Sequence, residues 1–245
     1  MIQPNTLQNK CVVVTGGATG IGFAIANLFA QSGAKVAIGS RRESAISDAI
    51  AFSNNLLIGH CLDVANRESV ESFFEWFDKS IGHVDILVNA AGVNIRDRSI
   101  NAMAPEQWDQ VMAINATGAY NCIHCVLPQM RIRHCGMIIN ISSVAGKRAL
   151  ALGGVAYAAS KFAMTALGTC VSNEVGVEGI RVTNVYPGEV DTPILEQRPT
   201  PVSDEHRQAI LRPEDIANIV VGLASLPERV HVPEIVIKPV QQQYY

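Results

Sequence analysis

The chain has 245 residues, 48% of them hydrophobic, and a formal net charge of −3 at pH 7. The slightly acidic balance excludes general binding to nucleic acid or an anionic membrane surface, which needs a basic face. No apolar run approaches the ~18 residues of a membrane helix, and "MIQPNTLQNK" lacks the apolar core of a secretory leader, so a cytoplasmic location is expected.

Short apolar runs alternate with helical patterns. The runs "CVVVT" (11–15), "KVAIGS" (35–40), "LLIGHCLD" (56–63), "VDILVN" (84–89), "GMIINIS" (136–142), "IRVTNVYP" (180–187) and "PEIVIKP" (233–239) read as strands. Helices start near Gly20, Glu43, Arg67, Pro105, Val155 and Pro213. The runs are continuous rather than alternating, as strands buried on both faces are. This order predicts an α/β fold: one domain over 1–245 with a doubly wound sheet of about seven parallel strands and helices on both faces. The stretch 193–213 is polar, has no clear period and is expected to be a mobile flap.

Six cysteines without a leader read as free thiols. Cys122 and Cys125 in "CIHC" fall inside a helical pattern, where cysteine acts as a small buried apolar residue. A closed zinc site holds its ligands in turns, so no metal is expected.

The first strand ends in "TGGATGIG" (15–22), which opens a helix. Gly16, Gly20 and Gly22, with Thr19 and Ile21 between them, let the backbone approach a pyrophosphate at a helix N-terminus. The spacing is T-G-x-x-x-G-x-G rather than G-x-G-x-x-G. The stretch "AYAASK" then sets Tyr157 and Lys161 four residues apart, on one helix face. A phenol titrates near ~10, so the pair alone reads equally as surface decoration or as an acid/base device.

These motifs, taken in order, resemble the classical short-chain dehydrogenases/reductases over about residues 10–240. T-G-x-x-x-G-x-G is followed by Asn89-Ala90-Ala91-Gly92, by Asn115 in "MAINATGAY", by "ISS" ending at Ser143, by Tyr157 and Lys161, and by "YPGEVDTP". The resemblance implies a Rossmann-type fold and a catalytic group of Asn115, Ser143, Tyr157 and Lys161, with Ser142 the competing serine. Tyr157 would be the general acid/base, its phenol lowered by the Lys161 charge. Asn115 would support a water chain from Lys161. The same resemblance implies cofactor contacts at Asp63, Val64, Asn89, Ala90, Gly92, Tyr157, Lys161, Pro187, Gly188, Val190 and Thr192.

The choice of nicotinamide cofactor is read from the second strand end, "AIGSRR". Ser40 stands where a carboxylate would meet a ribose 2′-OH, and Arg41 and Arg42 suit a 2′-phosphate. NADP(H) is the expected cofactor. Fourteen positions separate Ser143 from Tyr157, and "VNIRDRS" after Gly92 is also long, each by one residue against the family's common spacing. The C-terminus "PEIVIKPVQQQYY" is more similar to the NADP-dependent hydroxy-acid and serine dehydrogenase branch than to 3-oxoacyl reductases.

The expected function is hydride transfer between NADP(H) and a small-molecule carbonyl or secondary alcohol. A 3-oxoacyl-thioester reductase is the second enzyme reading, and a non-catalytic NADP(H)-binding regulator is the reading from another class. The resemblance also implies a homodimer or homotetramer built through the helices carrying Asn115 and Tyr157.

Overall fold

The computed structural model describes residues 7–243; residues 1–6 of the polar opening and the last two residues lie outside them. The strands are β1 (Cys11–Thr15), β2 (Lys35–Ser40), β3 (Leu57–Cys61), β4 (Ile86–Asn89), β5 (Gly136–Ile141), β6 (Ile180–Pro187) and β7 (Glu234–Ile237). The α-helices are α1 (Gly20–Gln31), α2 (Glu43–Phe52), α3 (Arg67–Ser80), α4 (Pro105–Met112), α5 (Gly118–Arg133), α6 (Val155–Val175), α7 (Asp204–Ala209) and α8 (Pro213–Ala224). All seven strands form one sheet in the order β3-β2-β1-β4-β5-β6-β7, and every neighbouring pair is parallel.

Parallel strands bury both faces, and side chains alternate between them. In β1, Val12 and Val14 join a core with α1, α2 and α8. Val13 points the other way, into a core with Phe73 and Phe77 of α3, Ile123 of α5 and Val171 of α6. Phe73 and Phe77 are fully buried, so truncating either to alanine costs about 3–5 kcal/mol. The two edge strands depart from the expectation of full burial. β3 keeps only Leu57 buried and β7 is partly open throughout, because an edge strand has a neighbour on one side only.

The long helix expected from Pro105 is interrupted. A π-helical turn (Ala113–Thr117) separates α4 from α5 and carries Asn115. No helix among the described residues is long and apolar enough to cross a membrane. Strand order reverses between β1 and β4, so their C-terminal ends diverge to open a crevice, the usual ligand position in such sheets.

Candidate active site

A cleft of about 710 Å³ runs along the C-terminal edge of the sheet. Its floor is the β1–α1 turn. Gly16 has φ +65°, and a side chain there would press on the Ala91 backbone at 2.7 Å. A Cβ on Gly22 would stand 2.3 Å from the Gly16 carbonyl oxygen. The turn therefore closes only with glycines. Thr19 is the extended residue before α1, and no side chain caps that helix, so the backbone N–H groups of its first turn face the cleft uncapped. This cradle fits the pyrophosphate of a dinucleotide. Thr19, Gly20, Ile21 and Gly22 all line it.

Beyond the turn, Arg42 precedes α2 and lines the cleft. Ser40 is partly buried at the end of β2, and Arg41 is exposed beside it, its carbonyl accepting a contact from the Cys61 thiol at 3.5 Å. Asp63 Oδ1 accepts from the Ala65 N–H at 3.0 Å, so its carboxylate shapes the turn before α3. Val64 is buried against Gly118, where a Cβ would meet Val64 Cγ2 at 2.5 Å. Of these residues Arg42 lines the cleft, and Ser40, Arg41, Asp63 and Val64 do not.

Ala90 and Gly92 line the cleft after β4, while Asn89 is turned into the sheet. Asn89 Nδ2 donates to Asn140 Oδ1 at 2.9 Å, and Asn140 Nδ2 donates to Asn184 Oδ1 at 3.1 Å. The three residues are register partners on β4, β5 and β6. This buried ladder ties β4, β5 and β6 together side by side, so Asn89 acts on the cleft from beneath. Asn115 is fully buried as well. Its Oδ1 accepts from the Val93 N–H at 2.8 Å, and its Nδ2 donates to the Val93 carbonyl at 2.9 Å and to Ser160 Oγ at 3.0 Å. The amide thereby pins the segment after β4 to α6.

Ser143, Tyr157 and Lys161 meet on the opposite wall. Of the two serines after β5, Ser142 is buried and its hydroxyl is bound to the Lys161 carbonyl at 3.2 Å. Ser143 is the more open one and lines the cleft with Tyr157. Lys161 is 4% exposed. Its Nζ donates to the Ile141 carbonyl at 2.8 Å and lies 5.7 Å from the Tyr157 ring centre.

The electrostatics correct the sequence expectation. Burial pushes the Tyr157 phenol above its ordinary value; the Ser143 hydrogen bond and the Arg98 charge pull it back in part. Burial also lowers Lys161 to about 8. In this cleft burial is the largest influence on Tyr157, and the Lys161 ammonium donates to the Ile141 backbone carbonyl.

Pro187, Gly188, Val190 and Thr192 complete the wall after β6. Thr192 faces the glycine turn: a Cβ on Gly20 would meet Thr192 Cγ2 at 3.3 Å. The stretch 193–213 is ordered as a 3₁₀ turn (Pro193–Gln197) and α7, and its ends close through a bridge between Val190 and Leu211. Arg198 pairs with Glu189 at 3.0 Å, and Arg207 pairs with Asp191. Burial raises the Glu189 carboxyl, but hydrogen bonds from His206 and Arg198 leave it below its ordinary value.

Cys122 is in the core and Cys125 is partly buried on α5, and burial raises the Cys125 thiol to about 11. Both are protonated at neutral pH, as small packing residues are.

Sequence reasoning missed Arg98, which reaches the cleft from the long "VNIRDRS" segment, and the partners of Asn89. The repeated ending of "ILVN", "MIIN" and "VTN" was the available signal for the ladder. Gly168 belongs to it too, since a Cβ there would lie 2.1 Å from Asn184 Oδ1.

Residues 10–202 match the family model described as short chain dehydrogenase. An uncharacterized oxidoreductase of Staphylococcus saprophyticus is 33% identical over 238 residues, covering 96% of this chain and 99% of that protein. Among solved structures, the closed form of a serine dehydrogenase complexed with NADP+ superposes with a TM-score of 0.88 at 29% identity, over 96% of each chain. An alcohol dehydrogenase from Thermococcus sibiricus complexed with 5-hydroxy-NADP gives 0.84 at 27%, over 96% of this chain and 99% of that one. The family model, the sheet order and the matched relatives agree: this chain belongs to the short-chain dehydrogenase family of oxidoreductases.

Proposed function

We propose that the protein is an NADP(H)-dependent oxidoreductase that interconverts a small-molecule carbonyl and its secondary alcohol, with Tyr157 as the proton carrier. One observation carries the reading. Ser143, Tyr157 and Lys161 line the same cleft as the glycine turn at the α1 N-terminus.

NADP(H), when bound, supplies or accepts the hydride. The glycine turn and the first turn of α1 hold the pyrophosphate, Arg42 with Arg41 and Ser40 holds the 2′-phosphate, and Val190 and Thr192 position the nicotinamide end. Asp63 and Val64 shape the adenine side. In reduction, the Tyr157 phenol donates a proton to the carbonyl oxygen as the carbon is reduced, and the Ser143 hydroxyl donates a hydrogen bond to the same oxygen. In oxidation the flow reverses, and the Tyr157 phenolate takes the alcohol proton.

Lys161 keeps its charge below pH ~8 and stabilises the phenolate from across the ring. Gly92 sets the path for proton return. A Cβ there would meet Lys161 Nζ at 3.5 Å and Asn115 Oδ1 at 3.6 Å. The missing side chain leaves a gap between those two polar atoms in which a water can bridge them. The stretch 193–213 acts as a substrate flap, and two or four copies of the chain assemble.

The test is NADPH consumption against a panel of carbonyl compounds that includes hydroxy-acid precursors and 3-oxoacyl thioesters, repeated with NADH. Turnover of a small carbonyl with preference for NADPH is expected. Turnover confined to the thioesters would select the acyl reductase, and binding of NADPH without turnover on any carbonyl would select a regulator.

A further inference from the structure

Arg98 joins three segments that meet only in the folded protein. Its Nε donates to the Ile95 carbonyl at 2.8 Å within its own segment. Its Nη1 donates to the Leu152 carbonyl in the loop before α6. Its Nη2 donates to the Gln197 carbonyl in the 3₁₀ turn at 3.0 Å. Its backbone is locked to the same loop, since the Val155 N–H donates to the Arg98 carbonyl at 3.2 Å. Gly154 has φ +81°, and a Cβ there would collide with Arg98 Cβ at 2.5 Å. Nearby, Asn94 Nδ2 donates to the Gly153 carbonyl at 3.1 Å. The two segments that exceed the common spacing therefore lie against each other, and Arg98 is their joint.

Neutral carbonyls satisfy the N–H groups of a guanidinium but leave its charge in place. Arg98 is partly buried and lines the cleft alongside Tyr157. The other charged groups around the phenol are Lys161 on α6, Arg198 on the flap, whose charge is matched by Glu189, and Glu196, exposed at the rim. Lys161 spends its Nζ on Ile141 and titrates near 8. Arg98 stays charged throughout the working range, even though burial and Arg198 lower it from its ordinary value.

We propose that Arg98 is a positioning residue for Tyr157: it braces the three loops around the substrate end and supplies the permanent positive charge that favours the phenolate. The inference rests on Tyr157 being the proton carrier. Its distinct content is that neutralising Arg98 shifts proton transfer to higher pH, whereas a purely structural brace would change rate or substrate KM and leave the pH dependence alone.

The experiment compares Arg98→Met, Arg98→Gln and Arg98→Lys. The readout is the pH profile of kcat/KM for alcohol oxidation, which rises as Tyr157 deprotonates. In the two neutral variants the acid limb moves up by about one to two units, the scale of one unit charge roughly 6–12 Å away at an effective dielectric near 20. In Arg98→Lys the limb stays within about 0.3 unit of the wild type while KM rises, because one ammonium cannot span three carbonyls. Phenolate absorbance in the cofactor-free protein, taken as the difference from Tyr157→Phe, gives a second reading that needs no turnover. At a fixed alkaline pH it falls in both neutral variants. An unshifted limb and unchanged absorbance in Arg98→Met and Arg98→Gln would overturn the proposal. If the neutral variants do not fold, a full one-unit shift in Arg98→Lys, which keeps the charge, would overturn it instead. Activity surviving in Tyr157→Phe would remove the proton-carrier reading on its own, and the absorbance arm separates that failure from this one.

Discussion

Lys161 Nζ donates 2.8 Å to the backbone carbonyl of Ile141 and stands 5.7 Å from the centre of the Tyr157 ring. The lysine is thus held by the sheet beside the phenol ring. Holding it there costs stability, because the ammonium is almost fully withdrawn from water.

That cost has a sign that can be measured. The folded protein lowers Lys161 to about 8, against ~10.4 in an unfolded chain. Between those values the unfolded state binds the extra proton, so stability rises with pH across that window. Below pH 8 the penalty is present in full. Lys161→Met should abolish turnover yet raise the unfolding free energy at pH 7 by about 2 kcal/mol, after allowing for the hydrogen bond lost at Ile141. Urea unfolding at pH 7 and pH 9.5 checks this. The advantage of the variant should shrink at the higher pH, and a variant less stable than wild type at pH 7 would refute it.

Both arginines are exposed, but only Arg42 lines the cleft, so the two should not contribute equally to the 2′-phosphate. Arg42→Ala should weaken NADPH binding by about 10–100-fold, the range of a lost charge-assisted hydrogen bond. Arg41→Ala should do less, and neither should alter NADH binding much. Calorimetric titration with both cofactors decides it. Equal losses for NADPH and NADH would leave the phosphate assignment without support.

The asparagine ladder makes a prediction away from the chemistry. In Gly168→Ala the new methyl would sit 2.1 Å from Asn184 Oδ1 and 2.6 Å from Asn140 Nδ2. The ladder must break or α6 must shift, and both strand ends beneath the cleft follow. Overpacking together with buried polar groups left unsatisfied should cost about 3 kcal/mol. A loss under about 1 kcal/mol in urea unfolding would mean that the ladder is dispensable to the fold.

Much of this arrangement is legible in the sequence, for local reasons. The runs "CVVVT", "KVAIGS" and "IRVTNVYP" coincide with β1, β2 and β6 because short stretches rich in β-branched and apolar residues between turns favour strands. The glycine turn and the Tyr157–Lys161 spacing are legible because each is set by neighbours in sequence. The break around Asn115 is not, since the partner that its amide clamps is Val93, 22 positions away. Arg98 is hidden for the same reason: Leu152 and Gln197 are 54 and 99 positions distant. The burial of Tyr157 is not legible either, because spacing gives charge proximity but not burial, and burial is the largest influence on its phenol.

The central claim is that Tyr157 carries the proton. The most direct measurement is the turnover of Tyr157→Phe, assayed with NADPH and a carbonyl that the wild type reduces. The substitution removes one oxygen and leaves the ring that packs in the cleft wall. The account predicts a loss of at least about 100-fold in kcat, with NADPH binding retained. A variant that turns over at a rate near wild type would contradict it.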